Sequence, residues 1–292
     1  MPKIVKPFNL FAMRKPFVPL ALALMLASMA ACEKIQLENA DTPAATPANE
    51  QGNVNLHIIP LSEPNAYTLL SVNIFDQNDK RVKNLHLQGS EAMAGDINVA
   101  LPVGNYRIVA IAHNGSSHCT ISSPEQIKFA DNKVTDTFYG YQLLSVADEQ
   151  ELNQDIQLAR GVGALKIHCL NDLPENIKQI KFYYTGGSST LDAATGYGCV
   201  NSRQTELRQA SPSVHDYVVY TFPHEDGRLL KFTLSALDNN GNTIATQTLS
   251  DVSIKRGNIT TYSGNFFDGE SDGSFTFRFE DKWEGEIFEE FE

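Results

Sequence analysis

Apolar and polar side chains alternate in short runs along most of the chain after residue 53, and this period of two restricts the fold to β-sheet. The run 53–59 places Val54, Leu56 and Ile58 on one side of a strand. Similar runs lie at 67–75, 96–101, 106–112, 165–170, 177–184, 217–222, 229–237 and 243–249. A helical period is not evident, and residues 148–158 leave room for at most a turn or two. The sequence predicts an all-β protein made of β-sandwiches.

Turn residues separate these runs. The segment Pro102-Val103-Gly104-Asn105 lies between two alternating runs and has the length and residue types of a hairpin connection. Asp238-Asn239-Asn240-Gly241-Asn242 supplies a second turn, with residues that tolerate positive φ. We therefore expect the strands 96–101 and 106–112 to form a β-hairpin.

The first 32 residues have the three parts of a bacterial lipoprotein signal. These are a basic region, an apolar run and a small-residue cleavage region that ends in cysteine: Lys3, Lys6, Arg14 and Lys15, then Phe17 to Leu26, then Ala27-Ser28-Met29-Ala30-Ala31-Cys32. The apolar run is too short to span a bilayer. The sequence predicts that residues 1–31 are removed and that Cys32 becomes the acylated first residue of the mature protein, held in the outer membrane at the cell surface.

The mature chain begins with a flexible tether and is strongly acidic. Residues 32–53 are rich in Ala, Thr, Pro, Asn and Glu, a composition that does not form a core. Loss of residues 1–31 removes four of the 23 basic residues and none of the 35 acidic ones, which leaves a net charge of −16. Such a surface repels nucleic acid and anionic headgroups, so membrane attachment is expected through the lipid on Cys32 and nucleic acid is excluded as a partner.

Two glycines divide the folded part of the chain. Gly161 and Gly163 interrupt the alternation before a new strand begins. We predict an N-terminal sandwich over residues 54–158 and a C-terminal sandwich over residues 159–267.

The last segment, residues 268–292, combines ten acidic residues with an aromatic alternation. Phe275, Phe277 and Phe279 share one side of an extended strand, and Trp283 follows. An aromatic segment of this kind is expected to be buried, either against the sheet edge of its own chain or in another subunit by strand addition. These four residues are the candidate partner-binding or donor-strand residues.

Motifs for chemistry are missing from the sequence. It has no G-x-x-x-x-G-K-[ST], G-x-S-x-G or H-E-x-x-H motif, so no catalytic residue, cofactor or enzymatic activity is predicted. His118-Cys119 and His168-Cys169 resemble metal-binding pairs, but neighbouring residues of a strand point to opposite faces, so no metal site is predicted. Beyond Cys32 the three cysteines Cys119, Cys169 and Cys199 leave two alternatives open, a Cys169–Cys199 bridge or buried free thiols.

A surface glycan-binding lipoprotein is the main alternative function. Sugar sites often use exposed aromatic rings, and most aromatic residues here fall within strand patterns that indicate a core. The exceptions to be tested are Tyr139, Tyr141, Tyr183, Tyr184 and Tyr197.

Five segments together resemble the Bacteroidales fimbrillin superfamily, in particular the FimB-like anchor subunits of type V pili. In chain order they are Ser71-Val72-Asn73-Ile74-Phe75-Asp76, then Leu101-Pro102-Val103-Gly104-Asn105-Tyr106-Arg107-Ile108-Val109-Ala110, the turn Thr137-Phe138-Tyr139-Gly140, Leu158-Ala159-Arg160-Gly161-Val162-Gly163-Ala164-Leu165-Lys166-Ile167, and Ile254-Lys255-Arg256-Gly257-Asn258 leading to Ser263-Gly264-Asn265-Phe266-Phe267. The resemblance implies two tandem Greek-key, transthyretin-like β-sandwiches, a lipoprotein displayed at the outer membrane, no catalysis, and pilin subunits as partners joined by β-strand addition.

The resemblance also distinguishes anchor subunits from polymerising ones. Polymerising members of the superfamily are thought to lose an N-terminal strand by proteolysis after Arg or Lys, whereas anchor members keep their lipidated N-terminus. Between Cys32 and Lys80 the only basic residue here is Lys34, beside the lipid site. The sequence therefore favours an anchor or accessory subunit, with a polymerising or tip subunit as the alternative.

Overall fold

A computed structural model of the chain describes residues 51–60, 67–265, 278–279 and 284–286. Strands dominate these residues. Those of the first half are β1 (Gln51–Ile59), β2 (Leu69–Asp76), β3 (Arg81–Gln88), β4 (Asp96–Pro102), β5 (Gly104–His113), β6 (Thr120–Ser123), β7 (Gln126–Lys128), β8 (Thr137–Val146), β9 (Glu151–Gln157) and β10 (Ala159–Arg160). Those of the second half are β11 (Gly163–Cys169), β12 (Gln179–Thr185), β13 (Thr190–Asp192), β14 (Tyr197–Gly198), β15 (Arg203–Gln209), β16 (Asp216–Thr221), β17 (Leu230–Leu237), β18 (Thr243–Val252), β19 (Ile259–Asn265), β20 (Arg278–Phe279) and β21 (Glu284–Glu286).

Helix is limited to one short element and a 3-10 turn in this part of the chain. The helix α1 (Ser90–Ala94) ends at Gly95, whose φ of 67° lies in the left-handed region. A Cβ at this position would lie 2.4 Å from the carbonyl oxygen of Ile58, so glycine is required where the chain passes from the helix into β4, beside β1. The 3-10 turn is Ala130–Asn132. None of the described helices is long and apolar enough to cross a membrane.

The first half forms a sandwich of two sheets. One sheet has the strand order β4-β1-β9 and the other β10-β8-β5-β2-β3. The apolar members of the alternating runs meet between the sheets, so Val54, Leu56 and Ile58 of β1 are fully buried. We call this the first core; it also contains Leu70, Val72 and Ile74 of β2, and Ile108, Ala110 and Ala112 of β5.

The predicted hairpin at residues 102–105 is wrong, although both of its strands exist. β4 pairs with β1 in one sheet, whereas β5 pairs with β2 and β8 in the other. The connection therefore crosses the sandwich between the sheets. The hydroxyl of Tyr106 donates to the carbonyl oxygen of Pro102 at 2.7 Å, a tyrosine corner that fixes this crossing.

The second half repeats the strand order of the first. Its sheets are β16-β11-β19, extended by β20 and β21, and β15-β12-β17-β18. In both halves the first strand lies between an antiparallel and a parallel neighbour, β4 and β9 in one case, β16 and β19 in the other. The second core lies between the latter two sheets and includes Phe182, Tyr184, Phe232 and Leu234. The expected all-β fold of two tandem Greek-key sandwiches is confirmed.

A third core joins the two halves. Strands β6 and β7 from the first half and β13 and β14 from the second form one sheet, in which Leu191 of β13 pairs with Ile127 of β7. This shared sheet covers the outer side of β5, where Val109 and Ile111 are fully buried. Both faces of β5 are therefore buried, and its sequence is a continuous apolar run instead of an alternating one.

Candidate assembly site

The first strand is built into the centre of its sheet. β1 pairs over seven residues with β4 on one side and over seven with β9 on the other. Its inward side chains Val54, Leu56 and Ile58 fill the first core, at about 2 kcal/mol of burial each. Removal of β1 would open an apolar groove that another extended strand could fill.

The sequence around β1 offers no site for proteases that cut after Lys or Arg. No Lys or Arg occurs from Gln51 to Asp79, and the first one after β1 is Lys80, at the turn between β2 and β3. β1 is therefore linked covalently to the rest of the first sandwich through a segment without a basic residue.

The C-terminal tail pairs with its own chain at the described positions. The backbone of Phe279 in β20 pairs with Gly264 of β19, and β21 pairs with β19 over three residues, both antiparallel. Five of the described tail residues take part in this ladder. Three predicted partner-binding residues, Phe275, Phe277 and Trp283, lie outside the described residues, as does the predicted lipidation site Cys32.

The tyrosines considered for a sugar platform do not converge on one surface. Tyr184 is fully buried in the second core, where its ring stacks on Phe232 at 4.8 Å between centroids. Tyr139 and Tyr141 pack against the third core. Tyr183 is 39% exposed on β12.

Tyr197 belongs to a clamp between the two halves of the chain. Arg256 lies over the Tyr197 ring and donates a hydrogen bond from Nη1 to the hydroxyl of Tyr139 at 2.9 Å. Nearby, Arg160 and Asp136 form a two-bond ion pair, with both N···O distances at 2.9 Å. The Arg256 contacts fix β8 against the connections of the second half, and the Arg160–Asp136 pair fixes the start of β8 to β10.

The histidine–cysteine pairs have structural surroundings. His118 Nδ1 lies 3.0 Å from the hydroxyl oxygen of Ser71, and its ring lies 4.4 Å from that of His86. His168 Nδ1 lies 2.8 Å from the carboxylate of Asp216. Among the described residues, no group of three or more His, Cys, Asp or Glu side chains is placed to hold a metal ion.

The three cysteines beyond Cys32 are free thiols. Cys119 and Cys169 are buried, and burial raises the pKa of each thiol to about 12. Cys199 is exposed. Of the two alternatives left open by the sequence, the Cys169–Cys199 bridge is absent from the structure.

One polar surface was missed by sequence reasoning. The outer face of the sheet β4-β1-β9 carries an asparagine row in which Asn98 donates to Asn55, and Asn55 donates to Asn153 at 3.0 Å. In the next row, His57 Nδ1 lies 2.7 Å from the carboxylate of Asp96. The polar positions of β1 indicated an exposed face. Prediction of the rows on this face would have required knowing which strands pair with β1 and in which register.

Comparison with known proteins gives a family match. The model of a family described as fimbrillin-A associated anchor proteins Mfa1 and Mfa2 matches residues 68–286. No curated protein matches the chain.

Several solved structures are similar in fold. A candidate adhesin from Bacteroides ovatus has 7% sequence identity and a TM-score of 0.51, with 79% of this chain and 95% of that chain covered. The fimbrial anchor protein Mfa2 from Porphyromonas gingivalis has 12% identity and a TM-score of 0.47, with 78% and 95% covered. A candidate polysaccharide-binding protein from Bacteroides thetaiotaomicron has 13% identity and a TM-score of 0.49, with 77% and 93% covered. At these identities the likeness concerns the fold alone.

Proposed function

Because the chain belongs to the family of fimbrillin-A associated anchor proteins Mfa1 and Mfa2, we propose that it is a non-enzymatic outer-membrane lipoprotein that serves as an anchor or accessory subunit of a fimbria. Its partners are pilin subunits, and the connection is made by β-strand addition, in which main-chain hydrogen bonds give affinity and alternate side chains give register. The family match over residues 68–286 carries this proposal.

The first strand supports an anchor role over a polymerising one. In an anchor, β1 stays covalently attached, so the N-terminal sandwich remains complete. The absence of Lys and Arg from Gln51 to Asp79 fits this role, and so does the full burial of the apolar side chains of β1.

Attachment to the membrane is assigned to the N-terminus. The signal 1–31 directs export, Cys32 carries the lipid, and the tether 32–53 connects the lipid to the N-terminal sandwich, its last three residues being the first three of β1. An acidic mature chain has little electrostatic attraction to anionic headgroups, so acylation of Cys32 provides the attachment. The folded part then comprises the sandwich units 54–158 and 159–267, followed by the tail 268–292.

The tail is the candidate donor segment. Among the described residues, the tail pairs with β19 over two and three positions, whereas β1 pairs over seven positions with each of its two neighbours. The described part of the tail is therefore the more easily exchanged. In a partner subunit, Phe275, Phe277 and Phe279 would occupy successive pockets, with Trp283 beyond them. Burial of three Phe side chains contributes about 6 kcal/mol before ordering costs.

The deciding experiment is isolation of the protein from detergent-solubilised native outer membrane, with mass spectrometry of co-isolated proteins and of its own N-terminus. Recovery of pilin together with an acylated Cys32 is expected. A Cys32→Ala variant is the matched control, and it should lose membrane attachment while keeping its fold. An N-terminus beyond residue 59 would make the protein a polymerising or tip subunit, and absence of pilin would contradict the fimbrial role.

The donor role of the tail has a separate test. A variant that ends at Phe267 is compared with the full chain for pilin recovery, and circular dichroism checks that the fold is retained. We expect pilin recovery to fall when residues 268–292 are missing. Undiminished recovery from a folded variant would show that the tail is not the connector.

A further inference from the structure

The two sandwiches differ at one equivalent sheet edge. In the C-terminal sandwich, β20 and β21 lie along the outer edge of β19. β9 has the same position in the N-terminal sandwich, and within the described part of the chain no strand lies along its outer edge. One edge is therefore covered, and its structural counterpart is not covered by any described strand.

Hydrogen bonds to the neighbouring strand determine which groups of β9 face this edge. The amide of Asn53 donates to the carbonyl of Gln150 at 2.8 Å, and the amide of Leu158 donates to the carbonyl of Ile59 at 3.1 Å. In a parallel ladder this register turns the even-numbered residues of β9 toward β1. The N–H and C=O groups of Glu151, Asn153 and Asp155 consequently point outward.

β19 has the same arrangement with its edge occupied. The amide of Ala164 donates to the carbonyl of Asn258 at 3.0 Å, and the amide of Leu170 donates to the carbonyl of Gly264 at 2.9 Å. The even-numbered residues of β19 therefore bond to β11, and the backbone groups of its odd-numbered residues face the tail. Thr261, which corresponds to Asn153, pairs with Glu284 of β21. The tail shows that this edge of the fold accepts a strand in antiparallel orientation.

The side chains of β9 indicate the chemistry of the missing strand. Leu152 points inward and is only half-buried against the first core, so an apolar side chain on an added strand would cover it. Glu151 and Asp155 are exposed on the outer face. An added strand with basic side chains opposite these carboxylates is favoured electrostatically.

The same charges disfavour pairing between two copies of this chain. In an antiparallel β9–β9 pair centred on Asn153, Glu151 of each copy lies opposite Asp155 of the other, and like charges directly opposite are destabilising. The tether 32–53 is also a poor occupant, because Pro43 and Pro47 cannot donate to a ladder. The tail 268–292 of a second copy, with ten acidic and two basic residues, is likewise disfavoured opposite these carboxylates. A strand of a different protein is therefore the favoured occupant.

We infer that the outer edge of β9 is an acceptor site for one extended strand of a fimbrial subunit, antiparallel to β9, with basic residues facing Glu151 and Asp155. The identity of the partner class rests on the proposed function. Within the described part of the chain, no strand has to be displaced for this strand to bind, in contrast to donation by the tail; the Gln154 side chain, whose Nε2 donates to the Asp155 carbonyl at 2.8 Å, has to turn aside.

Two variants at Asn153 test the site in the full-length lipidated protein. Asn153→Pro removes the outward N–H, which an edge strand tolerates, whereas Asn153→Ala removes only the side chain and its place in the asparagine row. Pilin recovery from native outer membrane is expected to fall about tenfold for Asn153→Pro and to stay within about twofold for Asn153→Ala. Thermal unfolding checks that both variants fold.

Charge reversal provides a second test if Asn153→Pro fails to fold. Glu151→Lys and Asp155→Lys should each lower pilin recovery. Asp148→Lys, which makes the same charge change in the turn before β9, should not. Equal recovery from all three variants would contradict the charge complementarity.

Hydrogen–deuterium exchange separates failure of this site from failure of the fimbrial role. The amides of Glu151, Asn153 and Asp155 should exchange rapidly in the isolated protein and at least about tenfold more slowly in isolated fimbriae, with the Leu158 amide protected in both. Pilin recovery with unprotected edge amides would overturn the acceptor site and leave the fimbrial role standing. Protection already in the isolated protein would mean that the chain covers its own edge, and absence of pilin would overturn both proposals.

Discussion

The guanidinium carbon of Arg256 lies 4.4 Å from the centroid of the Tyr197 ring. Arg256 Nη1 also donates to the hydroxyl of Tyr139 at 2.9 Å and to the carbonyl of Gly196 at 3.1 Å. Arg256 follows β18, Tyr197 belongs to β14, and Tyr139 belongs to β8, so one side chain links strands of both halves. We expect Arg256→Ala to lower the free energy of unfolding by about 2 kcal/mol. Urea denaturation measures this loss, and Arg203→Ala, an exposed arginine of β15, should change stability by less than about 0.5 kcal/mol.

Two adjacent tyrosines of β12 provide a matched pair of substitutions. The buried hydroxyl of Tyr184 lies 2.8 Å from Glu206 Oε1 and 2.9 Å from the carbonyl oxygen of Tyr220, whereas Tyr183 is exposed. Tyr184→Phe leaves a buried carboxylate without this donor and should cost about 1–3 kcal/mol. Tyr183→Phe should cost less than about 0.5 kcal/mol. Equal thermal unfolding midpoints for the two variants would contradict a stabilising role for the buried hydrogen bonds of the Tyr184 hydroxyl.

His113 gives the protein a specific sensitivity to acid. Burial, with a smaller contribution from the charge of His118, lowers the pKa of His113 from 6.5 to about 4. Below pH 6.5 the unfolded chain binds a proton at this position that the folded chain does not bind until about pH 4. The contribution of neutral His113 to the free energy of unfolding is therefore complete above pH 6.5. It is lost as the pH falls toward 4, and the loss from this residue reaches about 3 kcal/mol. Denaturation between pH 7 and 4.5 should show a shallower loss for His113→Leu than for the wild type.

Thiol labelling distinguishes the three cysteines. At pH 8, burial and a pKa of about 12 leave Cys119 and Cys169 almost without thiolate, whereas Cys199 is exposed. A chain that begins at residue 33 should therefore react once with a thiol reagent when folded and three times in denaturant. Labelling of the folded protein at Cys119 or Cys169 would contradict their burial.

A basic residue introduced between β1 and β2 tests the role of the uncut first strand. An arginine-specific protease should leave residues 51–79 intact in the wild type and cut Asn65→Arg after residue 65, where Ala66 follows. The cut protein should keep β1 bound under native conditions, because the strand is paired on both sides, and should lose it in mild denaturant. Size-exclusion chromatography with mass spectrometry follows the fragment, and immediate release would contradict a tightly held β1.

The alternation of apolar and polar residues was enough to locate most strands, but it did not predict which strands pair with each other. The alternation of Val54, Leu56 and Ile58 predicted β1. The expected turn is formed by Asp238 to Asn242, with Gly241 at a φ of 80°. Residues 148–158, which left room for a turn or two of helix, contain strand β9. This strand is stabilised by pairing with β1, almost 100 residues earlier in the sequence, and no local window contains that information.

Pairing between strands far apart in the sequence also explains the wrong hairpin prediction and the failure to predict the shared sheet. The strands on either side of Val103 looked like a hairpin because turn chemistry does not reveal whether a connection stays within a sheet or crosses between sheets. The shared sheet depends on contact between Ile127 and Leu191, each in a three-residue strand too short to give a pattern. The candidate residues of the tail followed from aromatic alternation, whereas the acceptor edge of β9 became visible only when the two sandwiches could be compared.

The parallel pairing of β1 and β9 has a mechanical consequence. A pull that enters at Gln51 and leaves at Gln157 acts on opposite ends of two neighbouring strands, so it slides one strand along the other. All seven paired positions then bear the load together, whereas a peeling force would break them one at a time. Gln51 begins β1 and Gln157 ends the strand that leads toward the second half, so tension between the N-terminus and the second half loads this sheet in its more resistant direction.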